Sequence, residues 1–278
     1  MADGSPRRAR LLPLSNVRAV LCLAGVAFCL LLVILTQPVL LRLPGRAKEK
    51  VPYWFFKASC RIMGIGVEVH GRRSSDRPVL YVANHISWLD IFALGGVMTP
   101  SFVARADLEG WTLFGWLSTL RRTIFIDREN RARSGAHIEQ MIERLHAGDS
   151  LILFPEGTSS DGSRVLPFKS SLFAVAERWQ GERPLTVQPV TVAYTRINAM
   201  PLGRHYRPYV GWYGDMELGP HLWELLTIGR VSAVITFHAP VTLETTGGRK
   251  AMSAHCHGEI SRRLEYLNGG HDPVEHAA

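Results

Sequence analysis

The chain is poor in the residues that build cross-linked or metal-stapled scaffolds. It has four cysteines in 278 residues. Cys22 and Cys29 lie in an apolar stretch, and Cys60 and Cys256 are isolated. No disulfide framework can be drawn from them, and they read as reduced thiols in a reducing compartment. There is no CxxC or HExxH pair. The two histidines of His255-Cys256-His257 diverge on a helix, so no metal site is expected. Gly64 and Gly66 lack the third glycine of a dinucleotide-binding turn. There is also no Lys/Arg-rich tract and no aromatic-basic nucleic-acid motif. The net charge of +8 therefore points to an anionic bilayer surface or an anionic substrate rather than to nucleic acid. Internal repeats and low-complexity linkers are missing as well.

Long apolar runs are not lacking. Residues 1–18 form a basic segment with Arg7, Arg8, Arg10 and Arg18, followed by an uncharged stretch from Ala19 to Thr36 that Val39, Leu40 and Leu41 extend. About twenty such residues suffice to cross a bilayer core. No small-x-small cleavage site follows, so residues 19–41 read as a retained anchor rather than a signal peptide. Arg42, Arg46, Lys48 and Lys50 balance the upstream arginines and leave orientation open. A steeply tilted or re-entrant helix kinked near Pro38 is also compatible with the run.

Residues 42–65 read as a linker with an amphipathic helix over Val51–Gly64. Tyr53, Trp54, Phe55, Phe56, Ile62 and Met63 are apolar, and Lys57 and Arg61 share another face. Such a helix can lie in the headgroup layer or pack on the domain's own sheet. Residues 66–268 then form one domain, and residues 269–278, GGHDPVEHAA, are expected to be a flexible tail.

Within that domain strands alternate with helices, which indicates α/β. Strands are expected at Val67–His70, Val79–Ala83, Ser101–Ala104, Thr123–Ile126, Leu151–Phe154, Thr186–Ala193 and Ser232–Phe237. Helices are expected at Trp88–Val97, Arg131–Ala147, Phe168–Trp179, His221–Ile228 and Arg249–Asn268, with a shorter one at Leu113–Leu120.

The stretch VLYVANHISWLD, Val79 to Asp90, carries the chemistry. A buried strand gives way to Asn84, His85 and Ser87, which are turn and cap residues. On a regular helix His85 and Asp90 would point about 140° apart. They can meet only if His85 sits in the turn before the helix. A carboxylate on one ring nitrogen would fix the tautomer and leave the other free to take a proton from a hydroxyl. A plain helix cap with a solvated Asp90 is the bland alternative.

Asn84-His85-Ile86-Ser87-Trp88-Leu89-Asp90 matches the NHxxxxD pattern, and on that motif the chain resembles the glycerolipid acyltransferases of the PlsC type. Three later blocks resemble the family in order: Phe125-Ile126-Asp127-Arg128, then FPEGT followed by LPFK between Phe154 and Lys169, then Val187-Gln188-Pro189-Val190. The resemblance runs from about Val67 to Val241. It implies a central mixed sheet flanked by helices, with His85 as general base and Asp90 orienting it. It implies acceptor-binding cations at Arg105, Arg122 and Arg128, with Arg105 standing where lysine is usual. It also places Glu156, Gly157, Thr158 and Lys169 around the substrate, with Glu156 orienting a hydroxyl or a basic side chain.

The reaction implied is transfer of a fatty acyl group from acyl-CoA or acyl carrier protein to the free hydroxyl of a lysolipid. The thioester is already activated, so no bound cofactor is required. The first acceptor considered is 1-acyl-sn-glycerol-3-phosphate, at the cytoplasmic face of the inner membrane. One departure bears on this. The family commonly has arginine directly after FPEGT, and this chain has Ser159, so another cation such as Arg164 must serve or the head group is not a phosphomonoester. The runs TSSDGSRVLPFKSSLF and WYGDMELGPHL are similar to the lyso-ornithine lipid branch, which makes that lipid the alternative acceptor. A non-catalytic lipid-binding protein and a lipid hydrolase are the readings from other classes. The GDSL string at Gly148–Leu151 does not support a hydrolase, because Ser150 precedes its strand instead of following it.

Overall fold

The computed structural model describes residues 13–42, 47–99, 101–105, 124–126 and 134–274. Strand β2, Val79–Ala83, is buried at every position. A run that is apolar on both faces belongs inside a sheet covered by helices on both sides. The other strands are β1 (Ile65–His70), β3 (Ser101–Arg105), β4 (Ile124–Ile126), β5 (Leu151–Leu153), β6 (Thr186–Ile197), β7 (Met200–Pro201) and β8 (Val231–Phe237). The sheet order is β1-β8-β6-β2-β5-β3-β4, with β7 paired to β6. β6 is parallel to β2 and antiparallel to β8, so the sheet is mixed.

The register places the functional end. Ala83 closes β2 opposite Val190, yet β6 continues to Ile197, opposite Val231. Roughly 20 Å of β6 therefore overhangs the end of β2. The sequence reading ends this strand at Ala193. The polar Thr195 and Arg196 look like a strand end, but antiparallel pairing with β8 carries the ladder through them.

The two faces of β6 are covered differently. Helix α8, Arg249–Asn268, packs on one, where Thr191 Oγ1 donates to the Ile260 carbonyl. On the other, Tyr194 meets Asp90 of α3, Leu89–Gly95. Helix α3 is shorter than expected and ends at Gly95, which lies so close to Phe56 that a Cβ there would come within 2.7 Å of the ring. The remaining helices are α1 (Pro13–Arg42), α2 (Ala47–Met63), α4 (Ser134–His146), α5 (Ala174–Glu177), α6 (Leu218–Ile228) and α7 (Leu243–Thr246). The single helix expected at Phe168–Trp179 is instead a 3₁₀ turn, Ser170–Phe173, leading into α5. Lys169 is extended and its N–H is taken by the Pro155 carbonyl, so a helix cannot begin before it.

Helix α1 contains 22 residues, Ser15–Thr36, long and apolar enough to cross a membrane. Its Leu21, Phe28 and Leu35 are exposed, while Ala19, Cys22, Leu30 and Val33 are buried. Arg18, assigned from sequence to the basic segment, is part of this helix. Its guanidinium donates to the carbonyls of Met63 at 2.8 Å and Gly229 at 2.7 Å, and also to that of Leu226. The domain thus grips α1 at its start. Helix α2 packs on the protein: Phe55 and Phe56 are buried, and Phe56 meets Phe92 edge to face. Trp54 alone among its large apolar side chains is exposed. The first part of the expected tail is also docked. His271 stacks on Tyr266, and Arg263 donates to the Pro273 carbonyl; residues 275–278 lie outside the described residues.

Candidate active site

At the end of β2 the chain turns through His85, Ile86 and Ser87, and the backbone groups of the turn are individually held. The N–H of His85 donates to Glu156 Oε1 at 2.6 Å, and its carbonyl accepts from Ser160 N at 2.9 Å. The Ile86 carbonyl accepts from Trp212 N at 3.0 Å. The N–H groups of Ile86 and Ser87 both donate to Asp90 Oδ2, at 2.7 and 3.0 Å. Asn84 anchors the approach. Its amide donates to the Val192 carbonyl at 2.9 Å and accepts from Val192 N at 2.8 Å, as a strand residue would.

This turn brings His85 and Asp90 together. His85 Nδ1 lies 2.8 Å from Asp90 Oδ2. Asp90 is fully buried, and Tyr194 donates to its Oδ1 at 2.8 Å. A carboxylate receiving four donors is acceptor only, so Nδ1 carries the proton and Nε2 is left as the acceptor. Phe154 covers one face of the imidazole, with centroids 4.3 Å apart and planes at 20°. The side chain of His85 keeps 19% exposure, enough to meet a ligand. The arrangement can take a proton from a hydroxyl and hold the resulting imidazolium against a buried carboxylate.

Residues 66–193 match the family described as Acyltransferase. A lyso-ornithine lipid O-acyltransferase of Brucella abortus is 36% identical over 255 residues, spanning 91% of this chain and 96% of that protein. The chain belongs to the acyltransferase family. A 1-acyl-sn-glycerol-3-phosphate acyltransferase of Neisseria gonorrhoeae is 32% identical over 183 residues, 65% of this chain and 68% of that protein. The fold matches the crystal structure of the 1-acyl-sn-glycerophosphate (LPA) acyltransferase PlsC from Thermotoga maritima. The TM-score is 0.65 at 21% identity, covering 91% of this chain and 98% of that one.

In this acyltransferase Glu156, expected to orient a substrate hydroxyl or a basic side chain, is held by backbone donors. Both its oxygens are engaged by backbone, Oε1 by His85 N and Oε2 by Leu166 N at 2.8 Å. It ties the His85 turn to the LPFK segment. Burial pushes its carboxyl up to about 8, against the two N–H donors that favour the ionised form. Gly157 follows with φ +80°, and a Cβ there would stand 2.7 Å from Lys169 Nζ, so the lysine lies over the turn. Thr158, Arg164 and Lys169 are exposed. Ser159 Oγ donates to the Trp212 carbonyl. Arg122, Arg128 and the side chain of Arg105 lie outside the described residues, as does the helix expected at Leu113–Leu120. Ser150, the GDSL serine, accepts from Val79 N at the far end of β2.

Tyr194, Phe154, Ser160 and Trp212 escaped the sequence reading as parts of the site. Phe154 was within reach, since it belongs to FPEGT. Trp212 opens the run WYGDMELGPHL, whose similarity to one branch of the family said nothing of its contact with the His85 turn, and Tyr194 carried no local signal, because a strand tyrosine looks like an ordinary packing residue.

Proposed function

We propose that the enzyme is a membrane-associated lysolipid O-acyltransferase in which His85 is the general base. His85 Nε2 takes the proton from the acceptor hydroxyl as its oxygen attacks the thioester carbonyl of acyl-CoA or acyl carrier protein. The tetrahedral intermediate collapses, the C–S bond breaks, and the thiol leaves with the proton returned by the imidazolium. The products are an ester and a free thiol. Asp90 stabilises the imidazolium, and this base catalysis contributes about 10²- to 10⁴-fold. The observation that carries the reading is the 2.8 Å contact between a fully buried Asp90 and a partly open His85.

The acceptor is lyso-ornithine lipid. At the position where the family commonly has an arginine, Ser159 is tied to the Trp212 carbonyl. Among the described residues, the cavity beside Trp212, about 640 Å³, is lined by Asp215 and Glu217 and by no basic side chain. That lining suits a head group bearing an ammonium better than a phosphomonoester dianion. The lyso-ornithine relative also covers more of this chain than the lysophosphatidate relative, 91% against 65%. The exposed apolar side of α1 provides the membrane attachment. Both acyl donors are cytoplasmic, so the reading places the site at the cytoplasmic face of the inner membrane.

The test offers purified enzyme a labelled acyl donor with either lyso-ornithine lipid or lysophosphatidate. Acylation of the former by wild type and loss of turnover in His85→Ala are expected. Preferential labelling of lysophosphatidate overturns the acceptor, and His85→Ala retaining more than about a tenth of the rate overturns the base.

A further inference from the structure

Tyr194 lies on the part of β6 that overhangs β2, 104 residues from Asp90 in sequence. The donors to Asp90 are divided unequally. Oδ2 takes three N–H groups, all from the turn that carries His85. Oδ1 takes the Tyr194 hydroxyl at 2.8 Å. Asp90 is fully buried, so water cannot replace the phenol. The pairing of β6 with β8 slips between Tyr194 and Arg196, and irregularities of this kind re-aim strand side chains beside active sites.

We propose that Tyr194 is a positioning residue for acyl transfer: its hydroxyl fixes the plane of the Asp90 carboxylate and, by sharing that group's negative charge, sets the basicity of His85. This rests on the general-base reading of His85 and is independent of which lysolipid is the acceptor. Rotation about Cβ–Cγ moves both oxygens, so the donor on Oδ1 restrains the plane from the side opposite the three donors on Oδ2. A neutral donor also withdraws charge that would otherwise favour the imidazolium. Burial, with Asp90 beside it, holds the Tyr194 phenol well above its ordinary range, so the hydroxyl keeps its proton and remains a donor. The other groups facing this cluster are Glu156, from the turn after β5, and Cys60 of α2, whose thiol burial pushes up to about 12.

The experiment is Tyr194→Phe in the full chain, with kcat, both KM values and the pH profile of kcat/KM, alongside His85→Ala. A fall in kcat of about ten-fold is expected with KM unchanged. The acidic limb of the profile should move upward by about half a pH unit, because the carboxylate keeps more charge for the imidazolium. If Tyr194→Phe does not fold, replacing Tyr194 by 3-fluorotyrosine retains the shape and strengthens the donor, and the limb should move downward. Wild-type kcat with an unmoved limb, in Tyr194→Phe or in the fluorinated protein if only that folds, overturns the proposal. An active His85→Ala would instead reject the base on which the proposal rests.

Discussion

The imidazole of His85 lies flat on the ring of Phe154, with centroids 4.3 Å apart. Asp90 holds the Nδ1 edge of the imidazole and Phe154 covers one face, so a substrate cannot approach from either of those sides. Such a pair is worth about 1 kcal/mol beyond its buried area. Phe154→Leu, which keeps the apolar volume without the flat surface, should lower kcat about five-fold and cost under about 1.5 kcal/mol of stability. Steady-state kinetics with a thermal melt check this, and an unchanged kcat would show the stacking to be mere packing.

Asp90→Asn presents an amide NH₂ to a pocket of donors. Three N–H groups and one O–H point at this side chain, and at least one must lose its acceptor. Turnover should fall by about 10²- to 10⁴-fold, and stability by about 3 kcal/mol. Chemical denaturation and donor-thiol release measure the two losses separately.

Asn84 behaves as an extra strand residue, paired through its side chain with both polar groups of Val192. Asn84→Asp would set an oxygen against the Val192 carbonyl at a site only 1% exposed. A loss of about 3 kcal/mol in unfolding free energy is expected, larger than for Asn84→Ala, which removes the repulsion along with the bonds. Equal losses in the two variants would contradict the pairing.

Arg18 joins the start of α1 to the C-terminal carbonyls of α2 and α6 through Met63, Leu226 and Gly229. Hydrogen bonds from a charged group contribute about 1.5–3 kcal/mol each when partly buried, and not additively. Arg18→Ala should lower stability by about 2–4 kcal/mol. Arg18→Lys should recover less than half, because an ammonium cannot span three carbonyls in the way a planar fork can. Thermal melts in detergent decide it.

His238 supplies a pH dependence. Its Nε2 pairs with Thr191 Oγ1 at 2.8 Å and its Nδ1 stands 3.8 Å from Glu259. Burial lowers its pKa from 6.5 to about 4; Glu259 opposes the shift, and Arg263, Arg262 and His255 add to it. The unfolded chain therefore takes up this proton first as pH falls. The stability that neutral His238 contributes is complete above pH 6.5 and is lost as pH falls through about 4, to a total of about 3 kcal/mol. His238→Gln should be less stable at pH 7 but flatter between pH 6.5 and 5, where ordinary carboxylates stay ionised. Urea titrations across that window test the slope.

The sequence by itself determined what local spacing can encode. The buried run Val79–Ala83 marks a central strand, and His85 five residues before Asp90 marks a turn that can join ring and acid. The motif order from NHxxxxD through FPEGT to LPFK marks the family. Each of these depends on neighbours within one turn of chain or on a pattern already known.

The tertiary structure alone decided which distant groups complete the site. That Glu156 clamps two backbone N–H groups follows from β5 lying beside β2, and that Asn84 pairs with Val192 and Tyr194 reaches Asp90 follows from β6 lying on the other side of β2 and overrunning its end. Sheet order and register are fixed by the sum of many buried contacts. A tyrosine 104 residues from its carboxylate therefore leaves no mark in any local pattern.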